Sequence, residues 1–493
     1  MKILLSWARR ESDPDLGILI NRLKEHGHET AYFVGTITDR ALVPAGAIFH
    51  SYTDAEKAIP APAVNADDFL PLEEELIEQL HRTESITLTM MNRFFDTLCV
   101  DERRRIYYEM VRYWRGVLRL VKPAAIIFPN MPHFVYDYII YELAHIFGIK
   151  TILFDDTRFP GRLLLFTDFE RLTETLKKEL AAHAGRKVSI DELAPDIRTY
   201  YELRSRRDFS ATPSYILDQK KKHTSWKLGI PWRRVERSIR DGSFARKVPR
   251  FFLWLMWERV PFLLIKLYTH LSIPGIPDLK KEYKALEQTP QFEKPFVYFP
   301  LQKQPEKTTS PQGGVFVDQL LALEIISASV PPGVVIYVKE HPLQWLHFGI
   351  RFNSTRYLGY YARIAKIKNI VLIPLATDSY RMINESIATC AVTGSAGWEA
   401  ALRGKPAMIF GKVWYEDCPG IFKVAGAHDC AEAMRMIMGG YRPDAGVIRN
   451  YLKCFESVTV RAFIAQTSGR ASTVSALECM ENLSAFIVKE LEK

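Results

Sequence analysis

Nowhere in this chain do about 18 uncharged apolar residues follow one another, so no segment reads as a simple transmembrane helix. The six cysteines (99, 390, 418, 430, 454 and 479) form no CxxC pair and the 12 histidines no HExxH, so no zinc spacing is present. Scattered through apolar and helical patterns, the thiols read as reduced side chains of a cytoplasmic protein. "MKILLSWARR" has too short an apolar run for a signal peptide and reads as a first strand. Internal repeats and low-complexity tracts are missing too. Charge imbalance is confined to one place. Residues 220–250 hold eleven Lys/Arg against Glu236 and Asp241, which accounts for the whole net charge of +9.

What is present is an alternation of strands and helices. A chain of 493 residues exceeds the roughly 250–300 that one core holds, so two or three domains are expected. Ile3–Ser6 reads as a strand. Leu16, Ile20 and Leu23 follow a helical period that Gly27 ends, and the order gives a parallel βαβ start. "PAAIIFPN" (123–130), "FVYDYIIYELAHIFG" (134–148) and "KTILFDD" (150–156) continue as strand, helix and strand, after helical stretches around 68–120. The rhythm returns with "KPFVYFPL" (294–301), a helix over about 314–329, "VVIYVKEHP" (334–342), "NIVLIP" (369–374), "ATCAVTG" (388–394) and "KPAMIFG" (405–411). The class is α/β, with two doubly wound Rossmann-like domains facing a cleft: 1–205 on the acceptor side and 286–430 on the nucleotide side. Helices over 431–493, ending in "TVSALECMENLSAFIVKELEK", are expected to brace the two.

Residues 206–285 break the rhythm and read as a basic, aromatic helical insert. The run "VPRFFLWLMWERVPFLLIKLYTHL" is interrupted by Glu258, Arg259, Pro261 and Lys266. Trp226, Trp232, Arg233, Arg234, Trp254 and Trp257 suit helices lying at a bilayer interface, cations on anionic headgroups and Trp at the boundary. The bland alternative is a helical insert packed on its own domain with a solvated basic face. Cations with interleaved Trp also suit nucleic acid, but the adjoining FFLWLMW run favours lipid.

Three loops follow strands of the second unit, at the sheet edge where such folds bind ligands. In "VVIYVKEHP" an apolar strand stops at Lys339, Glu340 and His341, and Pro342 suits a helix start. In "TGSAGWEAALRGKP" (393–406), Gly394, Ser395, Ala396 and Gly397 are small enough to bring backbone N–H groups against a phosphate. Trp398 and Glu399 then begin a helix that Gly404 ends. "PLQKQPEKTTSPQGG" (300–314) is too long for a simple connection. Singly, each of these is an ordinary turn or capped helix start; together on one edge they describe a phosphate cradle with a carboxylate placed for a ribose hydroxyl.

The ensemble "QPEKTT" (304–309), "KEHP" (339–342), "DSY" (378–380), "TGSAGWEAALRGKP" and "IFGKVWY" (409–415) resembles bacterial capsule polysaccharide biosynthesis proteins. That family consists of GT-B glycosyltransferases and includes transferases that add Kdo from CMP-Kdo. The similarity is specific over about 296–425, weaker over 1–205 and absent from the insert. It implies that His341 and Ser395 contact the donor phosphate, that Glu399 sits near the nucleotide, and that Gln304 and Glu306 line the cleft; Lys339, Pro342 and Ser379 belong to the same motifs. It also implies a nucleotide-sugar co-substrate, a CMP-sugar first, with no cofactor and no metal. The partners would be a glycan or glycolipid acceptor, an anionic membrane surface and other polysaccharide assembly proteins, with no nucleic acid. The place would be the inner face of the cytoplasmic membrane. One departure matters: "SWARRESDPD" stands where many such enzymes carry a glycine-rich turn, so the acceptor does not transfer.

Transfer also needs a base or nucleophile from the first domain. His133, Asp137, Glu142, Asp155 and Asp156 are the candidates, with His133, Asp137 and Asp155 foremost, and spacing does not choose among them. Two other functions fit the pattern: a polyol-phosphate transferase using a CDP-glycerol-like donor, and a non-catalytic nucleotide-sugar-binding scaffold of an export assembly.

Overall fold

The computed structural model describes residues 1–7, 15–157, 159–209, 264, 267–351, 355–464 and 472–493. The first domain is built on β1 (Lys2–Ser6), β2 (Glu29–Gly35), β3 (Ile48–Ser51), β4 (Ala125–Ile127), β5 (Lys150–Asp156) and β6 (Leu163–Phe166). Ile3, Leu4 and Leu5 of β1 are fully buried, as a parallel strand covered on both faces requires. β4 is shorter than the apolar run 123–130, because prolines at 123 and 129 cannot donate to a ladder. The chain runs β1, β2, β3 to one side and then crosses to place β4 on the other side of β1. The crevice between β1 and β4 is therefore a switch point, where ligands enter folds of this kind.

The second domain repeats the plan with β7 (Phe296–Pro300), β8 (Val335–Lys339), β9 (Ile370–Leu372), β10 (Ala388–Ala391), β11 (Ala407–Ile409) and β12 (Ile421–Lys423). All pairs are parallel in the order β12-β11-β10-β7-β8-β9, and the switch point lies between β7 and β10.

The chain then returns. β13 (Thr459–Val460) adds antiparallel to β6, which is itself antiparallel to β5, and so closes the first sheet at seven strands. The final helix, Ala476–Leu491, buries Cys479, Leu483 and Ile487 against Ile3, Leu5 and Leu19. It packs on the first domain rather than between the two, because its apolar face matches the open side of that sheet. The helix Ala427–Met438, by contrast, contributes Cys430, Met434 and Ile437 to the second domain's core.

What joins the domains is aromatic. Trp398 is fully buried, 4.7 Å from the Trp414 ring and 5.9 Å from Phe159, and Phe159 also meets Phe455 at 5.0 Å. Trp226, Trp232, Arg233, Arg234, Trp254 and Trp257 lie outside the described residues, as does 8–14 after β1. No helix among the described residues is long and apolar enough to cross a membrane.

Candidate functional site

The nucleotide-side edge is assembled from buried polar side chains. β7 leads into Gln302–Gln304 and β8 into Glu340–His341, and Arg356 ties these two loops together. Arg356 and Glu340 are both fully inaccessible, with Nε 2.7 Å from Oε2. Arg356 also donates to Gln304 Oε1 at 2.5 Å and to the Gln302 carbonyl at 3.0 Å, while Tyr361 donates its hydroxyl to Glu340 Oε2 at 2.6 Å. Gln319 and Gln344 complete the clamp: the Gln304 amide donates to Gln344 at 2.9 Å, and Gln319 donates to Gln304 Oε1 at 2.7 Å. Such a buried network persists only when every member is satisfied. Gln304 is therefore a loop fastener, its Nε2 donating to the Val317 carbonyl at 2.6 Å, rather than a side chain presented to the cleft.

His341 stands on this platform. Its backbone N–H reaches Glu340 Oε1 at 2.6 Å, and the Leu343 N–H donates to its Nδ1 at 3.2 Å. Nδ1 is thus an acceptor, which leaves the proton of the neutral ring on Nε2. Burial lowers the ring's pKa to about 4, the neighbouring Glu306 and Glu340 opposing it, so the imidazole is an uncharged donor at neutral pH. Pro342 follows, exposed, at the turn before the short helix Gln344–Phe348. Glu306 faces the same loop and takes Lys303 Nζ at 2.6 Å.

On the other side of β7, Gly394 caps the helix Ser395–Leu402. β8 and β10 both flank β7, so the His341 loop and the Ser395 helix start leave the sheet on either side of the β7 loop. A Cβ on Gly397 would lie 3.2 Å from the Tyr415 hydroxyl, so the helix start is pressed onto Tyr415, which bonds the Gly394 carbonyl at 2.5 Å. Gln302 fixes the approach by accepting from the Thr393 N–H at 2.9 Å. Glu399 hydrogen-bonds the Tyr380 hydroxyl at the start of the helix Ser379–Glu385. Lys339 reaches across to Ser379 Oγ and the Thr377 carbonyl, both at 2.6 Å, so it holds that loop.

The acceptor-side candidates separate by their partners. Asp137 accepts the Phe134 N–H at 2.8 Å and caps its own helix, Val135–Ile146; burial pushes its carboxyl well above the usual range. His133 donates Nδ1–H to the Met131 carbonyl at 2.8 Å, which leaves Nε2 unprotonated. Burial, then the nearby Lys307 and Arg93, lowers its pKa to about 3, which makes it a weak base. Glu142, pushed up by burial, is hydrogen-bonded by Tyr138 and Thr83. Asp156 ends β5 opposite Leu163. Asp155 pairs with Lys307 at 2.9 Å, and Lys307 also donates to Asn130 Oδ1 at 2.9 Å. That pair crosses the cleft from the β7 loop to the carboxyl ends of β4 and β5. Thr89 and Ser310, 2.6 Å apart, form a second crossing.

Beside the crossings lies an interdomain cavity of about 750 Å³, walled by Arg82, Tyr138 and Glu170 on one side and Val315, Phe410 and Lys412 on the other. Glu170 bridges its walls, 2.8 Å from Arg82 and 3.3 Å from Lys412. His341 and the Gly394–Gly397 turn do not line it.

Residues 284–438 match the capsule polysaccharide biosynthesis protein family. The matched segment spans the whole nucleotide-side sheet with its platform and helix start, but not the acceptor-side domain. No curated protein matches the chain. Among solved structures, the beta Kdo 2,7 transferase KpsC of Thermosulfurimonas dismutans is 11% identical, with 86% of this chain and 98% of that chain covered and a TM-score of 0.34. The beta Kdo 2,4 transferase KpsC of the same organism is 12% identical over 68% and 79%, TM-score 0.30. A Neisseria meningitidis UDP-GlcNAc 2-epimerase bound to UDP-GlcNAc is 12% identical over 100% of both chains, TM-score 0.23.

Proposed function

We propose that the protein is a glycosyltransferase of surface, capsular-type polysaccharide synthesis that passes a sugar from a nucleotide donor, CMP-Kdo first among them, to a glycan or lipid-linked acceptor. The observation that supports this most is the neutral His341, proton on Nε2, on one side of the β7 loop with a helix N-terminus on the other, at a sheet switch point inside the segment that matches the capsule family. Breaking the bond to the leaving phosphate builds negative charge on its oxygen. An uncharged N–H donor and helix amides stabilise that charge without reorganising. This machinery needs no divalent ion to neutralise the leaving group. Glu399 and Tyr380 stand on the same edge for the nucleoside. The cationic stretch 220–250 supports work at the inner face of the cytoplasmic membrane.

A thermal-shift panel of CMP, CDP, UDP, GDP and dTDP against wild type and His341→Ala tests the reading. A ligand at a hundredfold excess over its Kd stabilises by roughly 2.7 kcal/mol, which such an assay resolves. A CMP shift lost in His341→Ala is the expected result. A shift with UDP or GDP keeps sugar transfer and discards the CMP donor, whereas a CDP shift with turnover of CDP-glycerol makes the enzyme a polyol-phosphate transferase. No shift with any nucleotide overturns the transferase. Nucleotide binding without turnover leaves a scaffold.

A further inference from the structure

We propose that Glu56 is the group that takes the proton from the incoming hydroxyl. The inference rests on the transferase reading above and fills the place that the sequence candidates leave open. The helix Tyr52–Glu56 begins directly after β3, at the carboxyl edge of the acceptor-side sheet. β3 is the far edge strand, yet this helix packs back against Val135–Ile146, which follows β4. It therefore reaches from β3 over the end of β2 toward the switch point. Tyr136 hydrogen-bonds Ser6 at the end of β1 and lies within electrostatic reach of Glu56 and Tyr52. Lys307 enters the same edge from the opposite domain, so these strand ends face the nucleotide side.

A general base must be ionisable near working pH, unneutralised and reachable. Each other candidate fails one condition: Asp155 is ion-paired, Asp156 has a partner of its own, Asp137 is spent on its own helix, His133 holds a proton too weakly, and Glu142 is hydrogen-bonded away. Glu56 alone among these carboxylates makes no hydrogen bond or ion pair with the described residues, and it is half-buried rather than closed off. The charged and titratable groups around it are Lys57, Asp54 and Tyr52 on its own element and Arg93 from the turn Met91–Arg93. From the elements packed against it come Asp137 and Tyr136, and His50 and Tyr32. Burial raises its pKa to about 7, with Arg93 and then Lys57 pulling the other way. In the step itself, the acceptor O–H proton goes to the Glu56 carboxylate, the freed oxygen bonds the anomeric carbon, and the bond from that carbon to the phosphate oxygen breaks. The electron pair leaves with the nucleotide.

The test measures nucleotide release from the sugar nucleotide whose nucleotide gives the thermal shift, with water and octyl β-glucoside as acceptors, in wild type, Glu56→Gln and Glu56→Asp. Wild type is expected to lose kcat/KM tenfold per pH unit below about pH 7, since the base must be ionised. Glu56→Gln should lose that acid limb and about 10²–10⁴-fold in rate, the usual range for a general base, while keeping the nucleotide shift. Glu56→Asp should regain part of the rate. A Glu56→Gln protein with the wild-type rate and acid limb overturns Glu56 and leaves the transferase standing. A wild type that neither shifts nor turns over any donor overturns both.

Discussion

The two sheet edges that face each other across the cleft are built by opposite rules. On the nucleotide side, Arg356, Glu340, Gln302, Gln304, Gln319 and Gln344 are buried and bonded to one another, so the loops carrying His341 and Thr393 have few alternatives. On the acceptor side the carboxylates share no network: Asp137 is held by a helix start, Asp155 by a lysine from the opposite domain, Glu142 by two hydroxyls and Glu56 by none of the described residues. A leaving phosphate is best met by dipoles that do not move or change charge. Taking up a proton demands the reverse: a group whose charge can change and whose surroundings let it.

Breaking the rigid side should have the largest effect. Arg356→Met strands the Glu340 charge in the core, and removing one partner of such a pair costs about 3–5 kcal/mol. A lowered urea midpoint together with loss of the nucleotide shift is expected. The double variant Glu340→Gln/Arg356→Met should recover part of the stability, and no recovery would mean that the charge of Glu340 is not the cause.

A smaller effect sharpens the comparison through pH. The His341 ring takes its proton at about 4 in the folded chain and near 6.5 when unfolded. The unfolded chain therefore binds the proton first, so stability present above pH 6.5 is lost progressively as pH falls toward 4. His341→Gln should flatten that slope, and only in part, because His133 follows the same sign down to about 3. Denaturation at pH 7, 5.5 and 4.5 reads it; an unchanged slope in the variant would remove His341 from the account.

The smallest effect belongs to the exposed bridge over the interdomain cavity. Lys412→Met breaks the pair with Glu170, whose side chains are 39% and 47% exposed, and should cost below about 1 kcal/mol. A loss several times larger would show that the domains are held together there rather than by the aromatic cluster around Trp398.

Much of the nucleotide side was legible because apolar strands end abruptly in polar residues: Val335–Lys339 before Glu340-His341, and Ala388–Ala391 before Thr393-Gly394. The pattern that ends a parallel strand also marks its ligand edge. Arg356 carried no such mark. It lies in "STRYLGYY", between no strand and its loop, and its partners Gln304 and Glu340 are 52 and 16 residues away. Glu56 was hidden for a similar reason, since only the packing of a five-residue helix against Val135–Ile146 brings it near β4. β13 was hidden by length: two residues, Thr459–Val460, display no period at all. The same shortness concealed that the last helix belongs to the first domain.

That return of the chain also sets an order of events during synthesis. The nucleotide-side sheet, β7 to β12, is complete once Lys423 has been made. The first sheet, although begun at Lys2, waits for Thr459–Val460 and for the helix that covers Ile3, Leu5 and Leu19. At about 5–20 residues per second, that face of the earliest-made core has only Leu16, Leu19, Ile20 and Leu23 to cover it until the second domain has been made. A nascent chain of this protein would thus keep part of a greasy sheet face open to chaperones until its last helix has been made.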